Sequence, residues 1–151
     1  MNTKCIFPAS AILLLAFAIS AFSHEHEESF WFGHPGKAAE VTQSIKIDAM
    51  DIKFAPSDIA IRAGQTVQFQ ITNSGKLEHE FLLGDAAQQA EHGKEMAAMP
   101  GMKMRHINGI SVAPGKTESF IWSFTKAGRL QYGCHVPGHY TAGMVGELTV
   151  Q

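Results

Sequence analysis

Residues 66–72 read Thr66-Val67-Gln68-Phe69-Gln70-Ile71-Thr72, with an apolar side chain at every second position. An extended chain turns successive side chains to opposite faces, so a period of two marks a half-buried strand rather than a helix. Working outward, the same period recurs at Ile45/Ile47, Ile59/Ile61, Phe120/Trp122/Phe124 and Leu148/Val150. Turn chemistry separates these runs, at Ala55-Pro56-Ser57, Ala63-Gly64-Gln65, Asn73-Ser74-Gly75, Ala113-Pro114-Gly115 and Ala127-Gly128. Short alternating strands at this spacing predict an all-β, antiparallel sandwich or barrel of about seven or eight strands. That domain covers 44–151.

Two segments depart from the pattern. Residues 24–43 (HEHEESFWFGHPGKAAEVTQ) are polar and histidine-bearing apart from Phe30-Trp31-Phe32, and predict a flexible tail. Residues 84–106 (GDAAQQAEHGKEMAAMPGMKMRH) are rich in Ala, Gln and Glu, which favours a short helix before Pro100-Gly101 breaks it. This stretch reads as a helical, Met-rich insertion between strands, held against or beside the sandwich. Ahead of both, residues 1–23 carry a basic Lys4, an apolar run over 6–21 and small residues at Ala21 and Ser23, the pattern of a signal peptide cleaved before His24. The competing reading, an uncleaved anchor, has a run at the short end for spanning. Export to the periplasm is the expectation, with no membrane span after cleavage.

The chain has 151 residues, 45% hydrophobic and 17% charged, with net charge −2, which is material for one domain. Losing Lys4 with the leader makes the charge one unit more negative, so a nucleic-acid-binding surface has no support. Two cysteines, Cys5 and Cys134, stand against eight histidines and seven methionines. That excludes a disulfide scaffold and any four-thiolate zinc or iron–sulfur site. Cleavage would remove Cys5 and leave one thiol in an oxidising compartment, where it needs burial or a metal.

The thiol sits in Tyr132-Gly133-Cys134-His135-Val136-Pro137-Gly138-His139-Tyr140-Thr141-Ala142-Gly143-Met144. Pro137-Gly138 turns the chain, and Gly143 frees Met144 to point back, so one loop can offer a thiolate, an imidazole and a thioether to one point. A second imidazole would complete a trigonal Cys/His/His set with a weak axial Met, which suits copper cycling between its two oxidation states. His79 follows the turn at 73–75 and precedes Phe81-Leu82-Leu83, where a loop enters a strand. It is the chosen fourth donor, and His106 is the competitor.

At these residues the chain resembles the cupredoxins, whose signature Cys-x-x-Pro-Gly-His-x-x-x-Gly-Met matches Cys134 to Met144. The resemblance covers about 44–151 and implies a Greek-key β-sandwich with one type 1 copper on His79, Cys134, His139 and Met144. It also implies electron passage through the exposed edge of His139, and a backbone N–H just after His79 hydrogen-bonded to the thiolate. The histidine-bearing N-terminus and the Met-rich insertion are more similar to periplasmic copper-tolerance cupredoxins of the CopI type. Multicopper oxidases flank this cysteine with histidines on both sides, and copper nitrite reductases place one before it. Here Gly133 precedes Cys134 and only His135 follows, so the expectation is a binding protein and not an enzyme.

Further soft donors remain. A chain beginning His24-Glu25-His26 can wrap Cu(II) through its amine, amides and imidazoles, or can be a plain solvated tail. Met96, Met99, Met102 and Met104 crowd together with His92 and His106 at their edges. Thioethers favour Cu(I), although methionine is also good packing material. His135 alternates away from Cys134 and is expected at the surface first, and as a secondary copper donor second. The functional expectation is a monomeric periplasmic protein that serves copper tolerance by binding copper, with extra weakly bound copper and transfer of electrons or copper to a partner. The alternative is a dedicated electron carrier between periplasmic redox proteins.

Overall fold

The protein is described from a computed structural model over residues 30–99 and 105–151. In chain order the elements are β1 (Gly33–Pro35), β2 (Gln43–Met50), β3 (Lys53–Ala55), β4 (Asp58–Ile61), β5 (Thr66–Asn73), β6 (His79–Gly84), α1 (Ala86–Ala98), β7 (Gly109–Val112), β8 (Thr117–Phe124), β9 (Gly128–Gly133) and β10 (Val145–Val150). They form two five-stranded sheets, ordered β1-β8-β5-β2-β3 and β4-β10-β9-β6-β7. Every run predicted from its period of two is a strand. Their apolar positions close the core: Ile47, Val67, Phe69, Ile71, Trp122 and Leu148 are all at most 1% exposed.

The two sheets depart from the expectation in three ways. The described residues hold ten strands rather than seven or eight, because β1, β3 and β7 are too short to show a period. Pairing is not purely antiparallel: β2 runs parallel to β5 and β10 parallel to β4. Those pairs follow from connections that cross between sheets, where a tight hairpin would have forced antiparallel neighbours. The third correction is to the flexible tail over 24–43, which is structured from Phe30 onward. β1 pairs with β8, Gly33 opposite Phe124, and Phe32 is fully buried with its ring 5.4 Å from that of Trp122. Polar composition suggested a tail, yet one aromatic triplet buries enough apolar surface to anchor it.

Helix α1 lies against the sheet that contains β6 and β9. Asp85 caps it, accepting hydrogen bonds from the backbone N–H of Ala87 and Gln88 at 3.0 Å each, while its own backbone N–H donates to Gln88 Oε1 at 2.9 Å. The other Asp85 oxygen takes the Trp31 indole N–H at 2.8 Å, so the N-terminal segment pins the helix start. The residues that α1 buries are Gln89 and His92, both polar. With α1 on one face and the core on the other, every residue of β6 is buried.

Candidate metal centre

Strand alternation decides which side chains meet. On β6, His79, Phe81 and Leu83 face the core side, and Glu80 and Leu82 turn toward the helix side. At the end of β9, Cys134 and His135 divide in the same manner. His79 and Cys134 are fully buried and His139 is 6% exposed. The Cys134 sulfur lies 3.9 Å from His79 Nδ1 and 3.4 Å from His139 Nδ1. All three donor atoms fall within 4.8 Å of one another, the one such group among the described residues.

The loop after β9 is locked by its own backbone. Cys134 N–H donates to Met144 O at 3.1 Å, and Met144 N–H donates to His139 O at 3.0 Å. Met144 is thus tied to both loop donors, and it is fully buried. The turn predicted at Pro137-Gly138 and the freedom predicted at Gly143 are both used, since Gly138 has φ +86° and Gly143 φ +97°. Gly133 answers to crowding instead. A methyl group there would stand 2.8 Å from Gln89 Oε1 and 2.9 Å from the Tyr140 ring.

Two further contacts set the electrostatics. Glu80 N–H donates to the Cys134 sulfur at 3.3 Å, the amide just after His79. Burial nonetheless pushes the thiol up to about 11, with the N–H groups of Glu80 and Val136 opposing the rise. The metal-free side chain is therefore a thiol at neutral pH, and a metal ion must displace its proton. His79 Nε2 lies 3.3 Å from Asp51 Oδ1. An ionised carboxylate only accepts, so Nε2 carries the proton and Nδ1 turns its lone pair toward the sulfur. Asp51 is held in turn by the N–H groups of Lys76 and Leu77. His139 is shifted downward, by burial first and by the nearby His79 second, which favours its neutral form. Sequence reasoning missed Asp51, because a carboxylate on a loop far from the motif carries no local signal.

The donor set fits a small thiophilic ion. With a metal–sulfur bond of about 2.3 Å and a metal–nitrogen bond of about 2.0 Å, the S–N edge of a trigonal site is about 3.7 Å. The two S–N separations, 3.4 and 3.9 Å, bracket that length. One thiolate and two imidazoles select copper or zinc over magnesium or calcium.

The other candidates disperse. His106, the competitor of His79, has its ring 4.4 Å from that of His92 on the helix side of the sheet. Met96 is half-buried, facing a groove of about 480 Å³ beside His135, Pro137 and Tyr140, and Met99 is exposed. His24, His26, Met102, Met104 and the leader over 1–23 lie outside the described residues. His135 is corrected from surface to interior, at 6% exposed. It stacks on Tyr140 at 4.6 Å and donates Nε2–H to Gln89 Oε1 at 2.6 Å, because α1 covers the face to which alternation sends it.

Comparison with known proteins places the chain among copper-binding proteins. The description of copper-binding proteins of the plastocyanin/azurin family matches residues 41–151. The copper-resistant cuproprotein CopI of Pseudomonas aeruginosa is 42% identical, over 100% of this chain and 99% of its own. The protein of the same name from Rubrivivax gelatinosus is 39% identical over 87% of this chain and 80% of its own. Among solved structures, auracyanin B superposes with a TM-score of 0.63 at 22% identity, over 79% of this chain and 94% of that one, a likeness of fold. The chain belongs to the plastocyanin/azurin family of copper-binding proteins, the cupredoxins, and is similar over most of its length to the copper-resistant cuproproteins.

Proposed function

We propose that this chain is an exported, periplasmic cupredoxin that serves copper tolerance, holding one type 1 copper on His79, Cys134, His139 and Met144. The observation that carries the reading is the Cys134 sulfur set between two imidazole nitrogens at 3.4 and 3.9 Å in a buried pocket. The copper-resistance names of its relatives supply the physiological role. Copper in such a set supplies one-electron chemistry without a large change of geometry. The residues prepare it. Burial excludes water, Asp51 fixes the His79 tautomer, Glu80 N–H steadies the thiolate, and the backbone bonds of Met144 hold the loop closed. A binding role, and not catalysis, fits the immediate surroundings of Cys134: Gly133 has no room for a side chain, and His135 is engaged by Gln89. His24, His26, Met96, Met99, Met102 and Met104 are offered as weaker, auxiliary copper donors.

The carrier reading keeps one supporting observation: His139 alone of the three converging donors retains some exposure. One experiment separates the readings. Copper-loaded protein should show an intense visible thiolate-to-copper absorption that Cys134→Ser abolishes, and its absence from the parent chain would remove the site assignment. A host deprived of this protein should lose copper tolerance and regain it from the parent gene but not from Cys134→Ser. Unchanged tolerance with the absorption intact would establish the carrier instead.

A further inference from the structure

Helix α1 meets the sheet through a polar side chain. Helices usually dock through an apolar stripe, yet Gln89, on the buried face of α1, is fully enclosed. Its amide donates to Leu82 O at 2.9 Å and to Gln131 O at 3.2 Å, so one side chain bridges β6 and β9. Both partners are carbonyls, which only accept, and this turns Oε1 the other way. There it lies 2.6 Å from His135 Nε2, which therefore carries the donated proton. A buried amide is stable in such a place only when its polar atoms are bonded, as both are here.

The contacts of His135 close into a ring. Its imidazole stacks on Tyr140, with centroids 4.6 Å apart and planes within 13°. Tyr140 OH donates to Gln131 Oε1 at 2.8 Å, and the Gln131 carbonyl is one of the two that Gln89 holds. Gln89, His135, Tyr140 and Gln131 thus form one closed circuit. Two of its members are chain neighbours of proposed donors: His135 follows Cys134, and Tyr140 follows His139. Between these flanks Pro137 and Gly138 are exposed. Backbone bonds tie the inner side of the loop, and the stacked rings tie its outer side.

We propose that Gln89 is a positioning residue of the metal centre: by holding His135 against Tyr140, it sets the spacing of Cys134 and His139. The proposal rests on the reading of those two residues as copper donors. The Cys134 sulfur and His139 Nδ1 are 3.4 Å apart, the shorter of the two sulfur–nitrogen separations, and theirs are the flanks that the circuit joins. A copper site that exchanges electrons with little movement needs donors that stay in place as the metal changes charge. Groups one step behind the donors supply that restraint, and their loss costs about 10–100-fold in metal affinity. Helix α1 is then a working part of the centre and not an insertion beside it.

The test compares copper-loaded variants of the full chain by the thiolate-to-copper absorption, by paramagnetic resonance and by copper retained against a chelator. Gln89→Leu keeps roughly the same bulk and removes all three bonds. Its copper retention should fall about 10–100-fold, with a displaced absorption maximum and altered copper hyperfine splitting. Tyr140→Leu, which removes the stack from the loop side, should displace the band in the same way. Asp85→Ala is the control: it weakens the start of α1, and should lower the unfolding midpoint without moving the band. A band that moves equally in Asp85→Ala would reduce Gln89 to general helix stability and overturn the proposal. So would an unmoved band with unchanged retention in Gln89→Leu or, should that variant not fold, in Tyr140→Leu. Absence of the band from the parent chain would overturn the type 1 reading, and the proposal with it, before any variant is compared.

Discussion

Two imidazole clusters stand back to back across one pair of strands, and they are built differently. On the core side, three of the four proposed donors come from a single loop of eleven residues, Cys134 to Met144, tied by backbone bonds. On the helix side, Glu80, His92 and His106 come from a strand, a helix and a loop, and no two are chain neighbours. The first cluster is rigid because its own backbone closes it. The second depends on how α1 docks. Alternation along a strand puts chemistry on both faces of a sheet whenever both faces are covered.

The largest expected effect lies in the core under the thiolate centre. Phe81 is fully buried, with ring centroids 5.2 Å from those of Phe69 and Tyr132. Phe81→Ala should cost about 3–5 kcal/mol in denaturant unfolding, since a cavity opens between well-packed rings. A cost under about 1 kcal/mol would show that β6 is not the common support. A sharper cut separates the faces. Asp51→Ala removes the acceptor on His79 Nε2, and copper retained at the thiolate centre against a competing chelator should weaken about 10–100-fold. Unchanged copper retention with a lowered unfolding midpoint would mean that Asp51 acts through general stability.

Helix docking gives a smaller effect in the opposite direction. Asp85→Ala deletes the cap of α1 and the bond from Trp31, and should cost about 1 kcal/mol in thermal or denaturant unfolding. The thiolate-to-copper absorption on the core side should be unchanged. A selective loss of the thiolate-to-copper absorption would contradict the assignment of faces.

The smallest effect is one of pH, read on metal-free protein. Burial first, and His92 second, bring His135 down to about 4. An unfolded chain takes up that proton near the ordinary value of about 6.5. Stability should therefore be independent of this group above about 6.5 and fall as pH drops toward 4, because the unfolded state binds more protons in that window. His135→Gln should flatten the slope of unfolding midpoint against pH. An unchanged slope would assign the dependence to other groups such as His139, which shifts in the same direction.

How much was legible follows the same division. The copper loop could be read because its donors are close in sequence, so residue type and spacing alone constrain where they point. His79 was found by its place at a strand entrance, although His106 offered the same side chain. Asp51, Glu80 and the buried state of His135 were invisible, since each owes its role to a neighbour distant in the chain. The aromatic triplet at Phe30–Phe32 was visible and misjudged, because averaged polarity hides three residues that each bury a large ring.

Local facts are written in the residues themselves: a period of two that makes strands, glycines where the loop needs positive φ, and a Cys-to-Met string suited to copper. Those are set by backbone sterics and donor softness, which act within a few residues. Closing the whole fold was needed to give β2 and β4 parallel partners, to lay a polar helix over β6, and to bury Glu80 and His92 together beneath it. Such proximity is the outcome of closing the whole core at once, and no short stretch of chain contains it.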